Sequence, residues 1–305
     1  MIGVDVLLFG VTGRIGRRVA EALVARGVRP RCAVRDPAAA AARLGDFASA
    51  VELVAADLAE PASLRAALRG GDRVFLTSPV AASMQAWQQA AIDAASACRP
   101  AVERIVKLSG STWTQDPRQP TFSGIAHGRI EGALRRSGVA SVAVRPGVFT
   151  DGFLKTGLAR IGGGDTLVLP IAGARVAFAG LDTIAAVCAD LLCAAALPQD
   201  YLEVGYPDAV DGDALAQFAA AALGRPIRYR AVLPADVLAA QRGRLTEFDA
   251  MHLRQMLEGI AGGRAGVEPK AGVWPGAVAG SVADFVATTL AGACSVAPAA
   301  PLHRS

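Results

Sequence analysis

The chain predicts an α/β fold, a doubly wound parallel sheet followed by a smaller α/β portion, on three observations. Short β-branched and leucine runs alternate with segments of helical periodicity through the first half. A glycine-rich turn joins the first run to the first helix. Beyond Phe149 the rhythm gives way to Gly, Pro and shorter apolar runs. With 305 residues, 52% of them hydrophobic, the chain can bury a full core in one large domain or one and a half.

The elements follow in order. "VDVLLFG" reads as a strand ending in glycine, and "RIGRRVAEALVARG" as a helix that Gly27 stops. "PRCAVRD" is the second strand, an alanine-rich helix follows, and "SAVELVAADL" holds the third strand. "ASLRAALRGGDRVFLTSP" adds a helix and a fourth strand, "MQAWQQAAIDAASA" a helix, and "VERIVKLSGS" a fifth strand. "HGRIEGALRRSG" and "VASVAVRPG" add one more helix and strand, so crossover helices cover both faces of a parallel sheet. These elements make a first domain of residues 1–150, to which 175–200 returns; within that return Asp182 is a plausible N-cap for "LDTIAAVCADLLCAAAL". Residues 151–295 form mainly a substrate-binding portion. It contains "YLEVG", a helix from about Gly212 to Leu223, "PIRYRAV", and helical stretches at Pro234–Gly259 and Val282–Leu290. Residues 296–305 read as a flexible tail.

Composition excludes several classes. No apolar run reaches the roughly 18 to 20 residues of a spanning helix, and the N-terminus enters a strand without a basic leader, so a cytoplasmic protein is expected, away from membranes. A net charge of +4, with arginines scattered among alanines, leaves no nucleic-acid footprint. The five cysteines lack a C-x-x-C pair and the three histidines lie far apart, so neither a disulfide framework nor a metal site is expected. The expected partner is a small molecule, and the assembly a monomer or homodimer.

"GVTGRIG" sets Gly10, Gly13 and Gly16 between a strand and a helix. Glycines there make a tight turn and let backbone N–H groups approach a pyrophosphate, whose charge the helix N-terminus favours. Followed by further strand–helix units, this is a Rossmann-type dinucleotide loop. At the end of the second strand, about 20 residues on, an acidic residue would bond the ribose hydroxyls. Here Arg35 stands first, followed by Asp36, and Arg14 within the loop is expected to point to the same adenosine end. Two guanidiniums suit a 2′-phosphate, so NADPH is expected over NADH. Asp57 and Leu58 would lie beside the adenine, and Thr77, Ser78 and Pro79 along the pyrophosphate and nicotinamide ribose.

Together these motifs resemble the NmrA-like group of atypical short-chain dehydrogenase/reductases. "FGVTGRIGRRV", "AVRD", "VFLTSP", "VERIVKLSGS", "HGRIEGALRRSGVASVAVRPGVF", "LDTIAAVCADLL" and "SVADFVA" stand in that family's order across nearly the whole chain. The resemblance implies an NADP-binding oxidoreductase with a small C-terminal substrate domain: a quinone reductase, a ketoreductase of secondary metabolism acting on an aromatic or polyketide-type carbonyl, or an imine or iminium reductase. It also leaves open a redox sensor without catalysis. It implies that Gly10, Thr12, Gly13, Arg14, Ile15, Gly16, Arg35, Asp57, Leu58 and Thr77 to Pro79 line the cofactor, with Pro146, Gly147, Val148 and Phe149 near the nicotinamide.

Short-chain reductases usually protonate the new alkoxide with a tyrosine backed by a lysine one helical turn later. This chain's tyrosines, Tyr201, Tyr206 and Tyr229, all lie in the C-terminal portion. In "SGIAHGRIEGAL", Ser123 takes the tyrosine's place and His127 the lysine's, with Glu131 one turn on to orient the ring or raise its pKa. Imidazole titrates near neutrality, so His127 either donates the proton or only holds the ribose. "KLSGSTW" ends the fifth strand on the site side of the sheet, where Ser109, Ser111 and Thr112 could bond a substrate carbonyl and Trp113 could stack on a flat ring. Lys107, earlier in that strand, is expected to contact the cofactor or the structure. "GVFTDGFLKTGLARIGGG", with Phe153, is expected to be a flap over the pocket, and Trp274 to border its mouth. A missing tyrosine favours acceptors whose product anion is already stabilised, such as quinones, and iminium ions, which need no proton.

Overall fold

A computed structural model describes residues 4–69, 72–266 and 280–295. The chain alternates as expected through β1 (Val6–Phe9), α1 (Arg14–Ala25), β2 (Arg31–Val34), α2 (Pro37–Leu44), β3 (Glu52–Ala55), α3 (Pro61–Ala67), β4 (Arg73–Leu76), α4 (Met84–Ala97), β5 (Arg104–Leu108), α5 (Phe122–Ser137) and β6 (Ser141–Pro146). It continues with β7 (Val148–Phe149), α6 (Phe153–Ala159), β8 (Thr166–Leu169), β9 (Val176–Ala179), α7 (Leu181–Cys193), β10 (Tyr201–Val204), β11 (Ala209–Val210), α8 (Gly212–Leu223), β12 (Arg228–Ala231), α9 (Pro234–Ala240), α10 (Glu247–Ala261) and α11 (Val282–Ser295).

Seven strands form one parallel sheet in the order β3-β2-β1-β4-β5-β6-β10. The chain reverses direction across the sheet between β1 and β4, which opens a crevice at their carboxyl ends. The strands bury both faces: Leu7 and Phe9 pack with α3, α4 and α5, while Val6 and Leu8 pack with α1 and α7. This two-sided burial is why the strands read as continuous apolar runs.

Four expectations are corrected. "YLEVG", expected in the smaller portion, is β10 and pairs in parallel with β6 as the seventh strand of the main sheet. A run so short carries no mark of its neighbour; only pairing assigns it. Asp182 is not the N-cap of α7: Gly180 is, and Asp182 lies in the first turn and pairs with Arg18. The expected flap folds as α6, with Leu154 and Leu158 buried in a second apolar cluster; the spacing of these two leucines, one helical turn apart, is the reason. The stretch from Pro234 breaks into α9 and α10, with Thr246 accepting from the Asp249 N–H to cap the second. The tail from 296 lies outside the described residues. No helix among the described residues is long and apolar enough to cross a membrane.

Candidate active site

The glycine loop follows from close packing. Gly10 has φ +78°, and a Cβ there would lie 2.8 Å from the Thr77 methyl; one on Gly16 would come within 2.1 Å of the Gly10 carbonyl oxygen. Glycine at these positions lets α1 start directly against the ends of β1 and β4. Gly13 is the N-cap and supplies no side-chain bond, so the first-turn N–H groups face outward unmet by a side chain. Ile15 anchors the helix in the core. Such a cradle fits a dinucleotide's phosphates, with the helix N-terminus favouring their charge.

Around it stand the other sequence-predicted positions. Arg35 is exposed at the end of β2. Asp36 is committed elsewhere: its carboxylate accepts from the Ala38 and Ala39 N–H groups and caps α2, so it does not oppose an anion beside Arg35. Asp57 accepts from the Ala59 N–H in the turn after β3, with Leu58 half-buried beside it. Ser78 accepts from the Gln88 side chain at the end of β4, with Thr77 half-buried and Pro79 exposed. Arg14 differs from expectation. Its guanidinium donates to the Asp151 carbonyl and lines a cavity with Phe149 and Gly152, because α1 starts opposite the chain leaving β7.

That cavity has a volume of about 730 Å³ at the carboxyl ends of β5 and β6. Pro146, Gly147, Val148 and Phe149 form one wall, and Phe153 of α6 adjoins them. Leu253, Met256, Leu257 and Ile260 of α10 form the facing wall. Polar groups come from Ser109, Ser111, Thr114, Ser123 and His127, and also from Arg14, Thr156, Asp236 and His252 on α1, α6, α9 and α10. The wall is held at a fixed place: the Phe122 N–H donates to Gln255 at 2.8 Å, and the Phe122 and Phe248 rings meet edge to face.

Two residues expected at the substrate are elsewhere. Trp113 packs in the second apolar cluster, with the Arg264 guanidinium 5.1 Å from its ring centre and Gly259 against its edge. The turn after β5 is a 3₁₀ helix, Thr112–Gln115, which rotates the indole inward. Thr112 donates its hydroxyl to Glu203 of β10 and is not a cavity residue. Trp274 lies outside the described residues.

The buried polar group behind the cavity is organised by residues far apart in sequence. Lys107, wholly buried on β5, places Nζ 2.8 Å from His127 Nδ1 and donates to the Leu108 carbonyl at 3.1 Å. Glu131 does not reach His127 in the role expected of it. Arg145 of β6 donates to both its carboxylate oxygens, and Ser109 donates to it as well. Fork-to-fork geometry favours that pairing over a single bond to imidazole. Burial alone would raise the Glu131 pKa, but the Arg145 and Ser109 bonds outweigh it and hold the carboxyl below its usual range. Burial lowers Lys107 to about 7, against the attraction of Glu131 and with help from Arg145. His127 is held well below its ordinary value by burial, then by Lys107, His252 and Arg145. Burial thus favours the neutral imidazole, whose Nδ1 lies against Lys107 Nζ.

His252 is the site residue that sequence reasoning missed. It lines the cavity from α10, with Nδ1 buried and unpartnered, and burial lowers its pKa. A signal existed: it shares a face with Met256, one turn on, in a stretch of helical periodicity. Among the described residues no group of His, Cys, Asp and Glu is placed to hold a metal ion.

The family model described as NAD(P)H-binding matches residues 10–192. An NAD(P)H azoreductase of Xenophilus azovorans is 32% identical over 227 residues, 74% of this chain and 77% of that protein. Among solved structures, an NADPH-dependent quinone oxidoreductase from Escherichia coli superposes with a TM-score of 0.76 at 24% identity, covering 93% of this chain and 98% of its own. The NADP(H) complex of a Citrobacter sp. triphenylmethane reductase gives a TM-score of 0.78 at 17% identity, covering 95% and 99%.

Proposed function

The chain belongs to the NAD(P)H-binding family, and from that premise we propose that it is an NADPH-dependent reductase of bulky aromatic acceptors, quinones and aromatic ketones first. One observation carries the reading: a cavity of about 730 Å³, walled largely by apolar side chains, opens beside Pro146 to Phe149 at the carboxyl end of the sheet, with Ser109, Ser111, Ser123 and His127 among its polar groups. A pocket of that size and lining suits a bulky, largely apolar molecule with a reducible polar bond. That relatives and neighbours in fold bear the names azoreductase, quinone oxidoreductase and triphenylmethane reductase supports the same class of acceptor.

Residues 1–150, completed by α7 and β10, would hold the cofactor, and residues 151–295 would supply most of the acceptor's wall. Gly10, Thr12, Gly13, Ile15 and Gly16 would hold the pyrophosphate, and Asp57 and Leu58 the adenine. Thr77, Ser78 and Pro79 would follow the chain of the cofactor toward His127 and the Pro146 to Phe149 wall. Arg35, with Asp36 turned to its helix cap, would hold the 2′-phosphate and select NADPH. When bound, the reduced nicotinamide supplies a hydride. Ser111 and Ser123 would orient the acceptor's polar atom, and Phe149, Phe153 and the α10 wall would keep water from it.

Stopped-flow mixing of the NADPH-loaded protein with a panel of quinones, aromatic ketones and azo compounds tests this. Rapid loss of nicotinamide absorbance with at least one class is expected. Tight NADPH binding with no oxidation by any acceptor would instead favour a cofactor-sensing protein.

A further inference from the structure

A reductase that lacks the tyrosine still has to finish its reaction with a proton whenever the acceptor leaves hydride transfer as an anion. Resting on the reductase reading, we propose that Lys107 and His127 form a proton relay that supplies it, His127 to the acceptor and Lys107 to His127. The geometry has three parts. His127 Nδ1 is taken by Lys107 Nζ at 2.8 Å, and the ring edge at Cδ2 rests on Gly110, where a Cβ would come within 2.6 Å. Because the ring also lines the cavity, Nε2 is the nitrogen left for an acceptor. Lys107 has no exposure of its own, so its ammonium reaches the cavity only through the imidazole.

The surrounding charges leave the pair free to move one proton. Glu131 on α5 and Arg145 on β6 neutralise each other by a two-pronged ion pair, and the Tyr201 ring covers the guanidinium at 4.0 Å. The carboxylate that would pin Lys107 in its charged form is thus already engaged. Burial lowers the pKa of His252 on α10, and its charge, like those of Lys107 and Arg145, disfavours a cation on His127. A lysine brought near neutrality in this way can both give and regain its proton at working pH.

The step balances. The acceptor gains two electrons and a hydrogen as hydride and becomes an anion; the Nε2–H bond of His127 breaks and its proton neutralises that anion. The ammonium of Lys107 passes a proton to Nδ1, so an imidazole protonated at Nδ1 and a neutral amine remain. After product leaves, water delivers one proton to Nε2, and the Nδ1 proton returns to Lys107.

The experiment compares wild type with Lys107→Met and His127→Asn on two acceptor classes. Quinones and azo compounds need the proton; a cationic iminium or triphenylmethane dye does not. Both variants should slow the first class by about 10² to 10⁴-fold and leave the second within a few-fold. Equal slowing of both classes, or none, would overturn the relay while the reductase reading stands. Nitrogen-15 NMR of the wild-type protein without cofactor gives a readout independent of turnover and of variant folding. It should show His127 protonated on Nε2 and its shift responding to a titration near neutrality that is not its own. Should no acceptor of either class oxidise NADPH, the reductase reading fails. Should His127 carry its proton on Nδ1, or titrate with its own charge above pH about 6, the relay fails whatever the kinetics.

Discussion

At the amino ends of β2, β4 and β5 stand Arg31, Arg73 and Arg104, and at the carboxyl ends of β4, β5 and β6 stand Thr77, the Lys107–Ser109 stretch and Pro146. The first set is answered by charge and carbonyl: Arg31 pairs with the buried Asp72, Arg73 with Glu103, and Arg104 with Glu103 and the Ala194 carbonyl. In the second set Ser109 and Pro146 line the cavity, and the one buried ammonium behind it is met by an imidazole and a carbonyl. The same strands thus hold cations in two ways. A cation answered by a carboxylate stabilises the fold and stays charged, whereas one answered by neutral groups is brought into the range where a proton can leave.

The largest expected effect breaks the comparison at its structural end. Arg31→Met leaves the Asp72 carboxylate buried without its partner, which costs about 3–5 kcal/mol. Urea denaturation should show that loss, and NADPH titration at a temperature where the variant is folded should show unchanged affinity; a loss below about 1 kcal/mol would remove the distinction between the two ends. Next comes Arg35→Ala at the functional end. A charge-assisted bond to phosphate is worth about 1.5–3 kcal/mol, so NADPH affinity should fall by roughly 10- to 100-fold, with NADH affinity and the denaturation midpoint unmoved. An equal fall for both dinucleotides would place Arg35 outside the 2′-phosphate site.

The third effect sharpens the comparison through pH. Burial holds Lys107 at about 7 instead of 10.5. Between those values the unfolded chain binds a proton that the native protein does not, so Lys107 makes stability rise with pH across that window. Lys107→Met should remove this increment; denaturation midpoints of the two proteins at pH 7 and about pH 9 measure it. Equal pH responses would show that Lys107 stays charged in the fold.

The alternation of the sheet half was legible because strand runs and helical periodicity are local properties. The glycine loop was legible for the same reason. Strand order was not, and β10 shows why: four residues carry no record of the strand beside them. For the candidate site, sequence spacing pointed to positions more than to bonds. His127 was found from spacing, but spacing pointed to Glu131 as its partner. A neighbour one turn away is close without being bonded, and Arg145, reaching from another strand, offers the carboxylate a better fit. Lys107, 20 residues earlier, meets His127 only because β5 runs beneath α5. Trp113 misled for a related reason: an aromatic at a strand's carboxyl end can turn to the core as readily as to the site.

The facing wall of the cavity has one further consequence. Leu253, Met256, Leu257 and Ile260 stand on α10, beyond residue 192, where the match to the family model ends. These four side chains belong to an element separate from the one that carries the glycine loop. A substitution on that face of α10 would reshape the cavity wall without disturbing the glycine loop, where Gly10 and Gly16 are fixed by close packing.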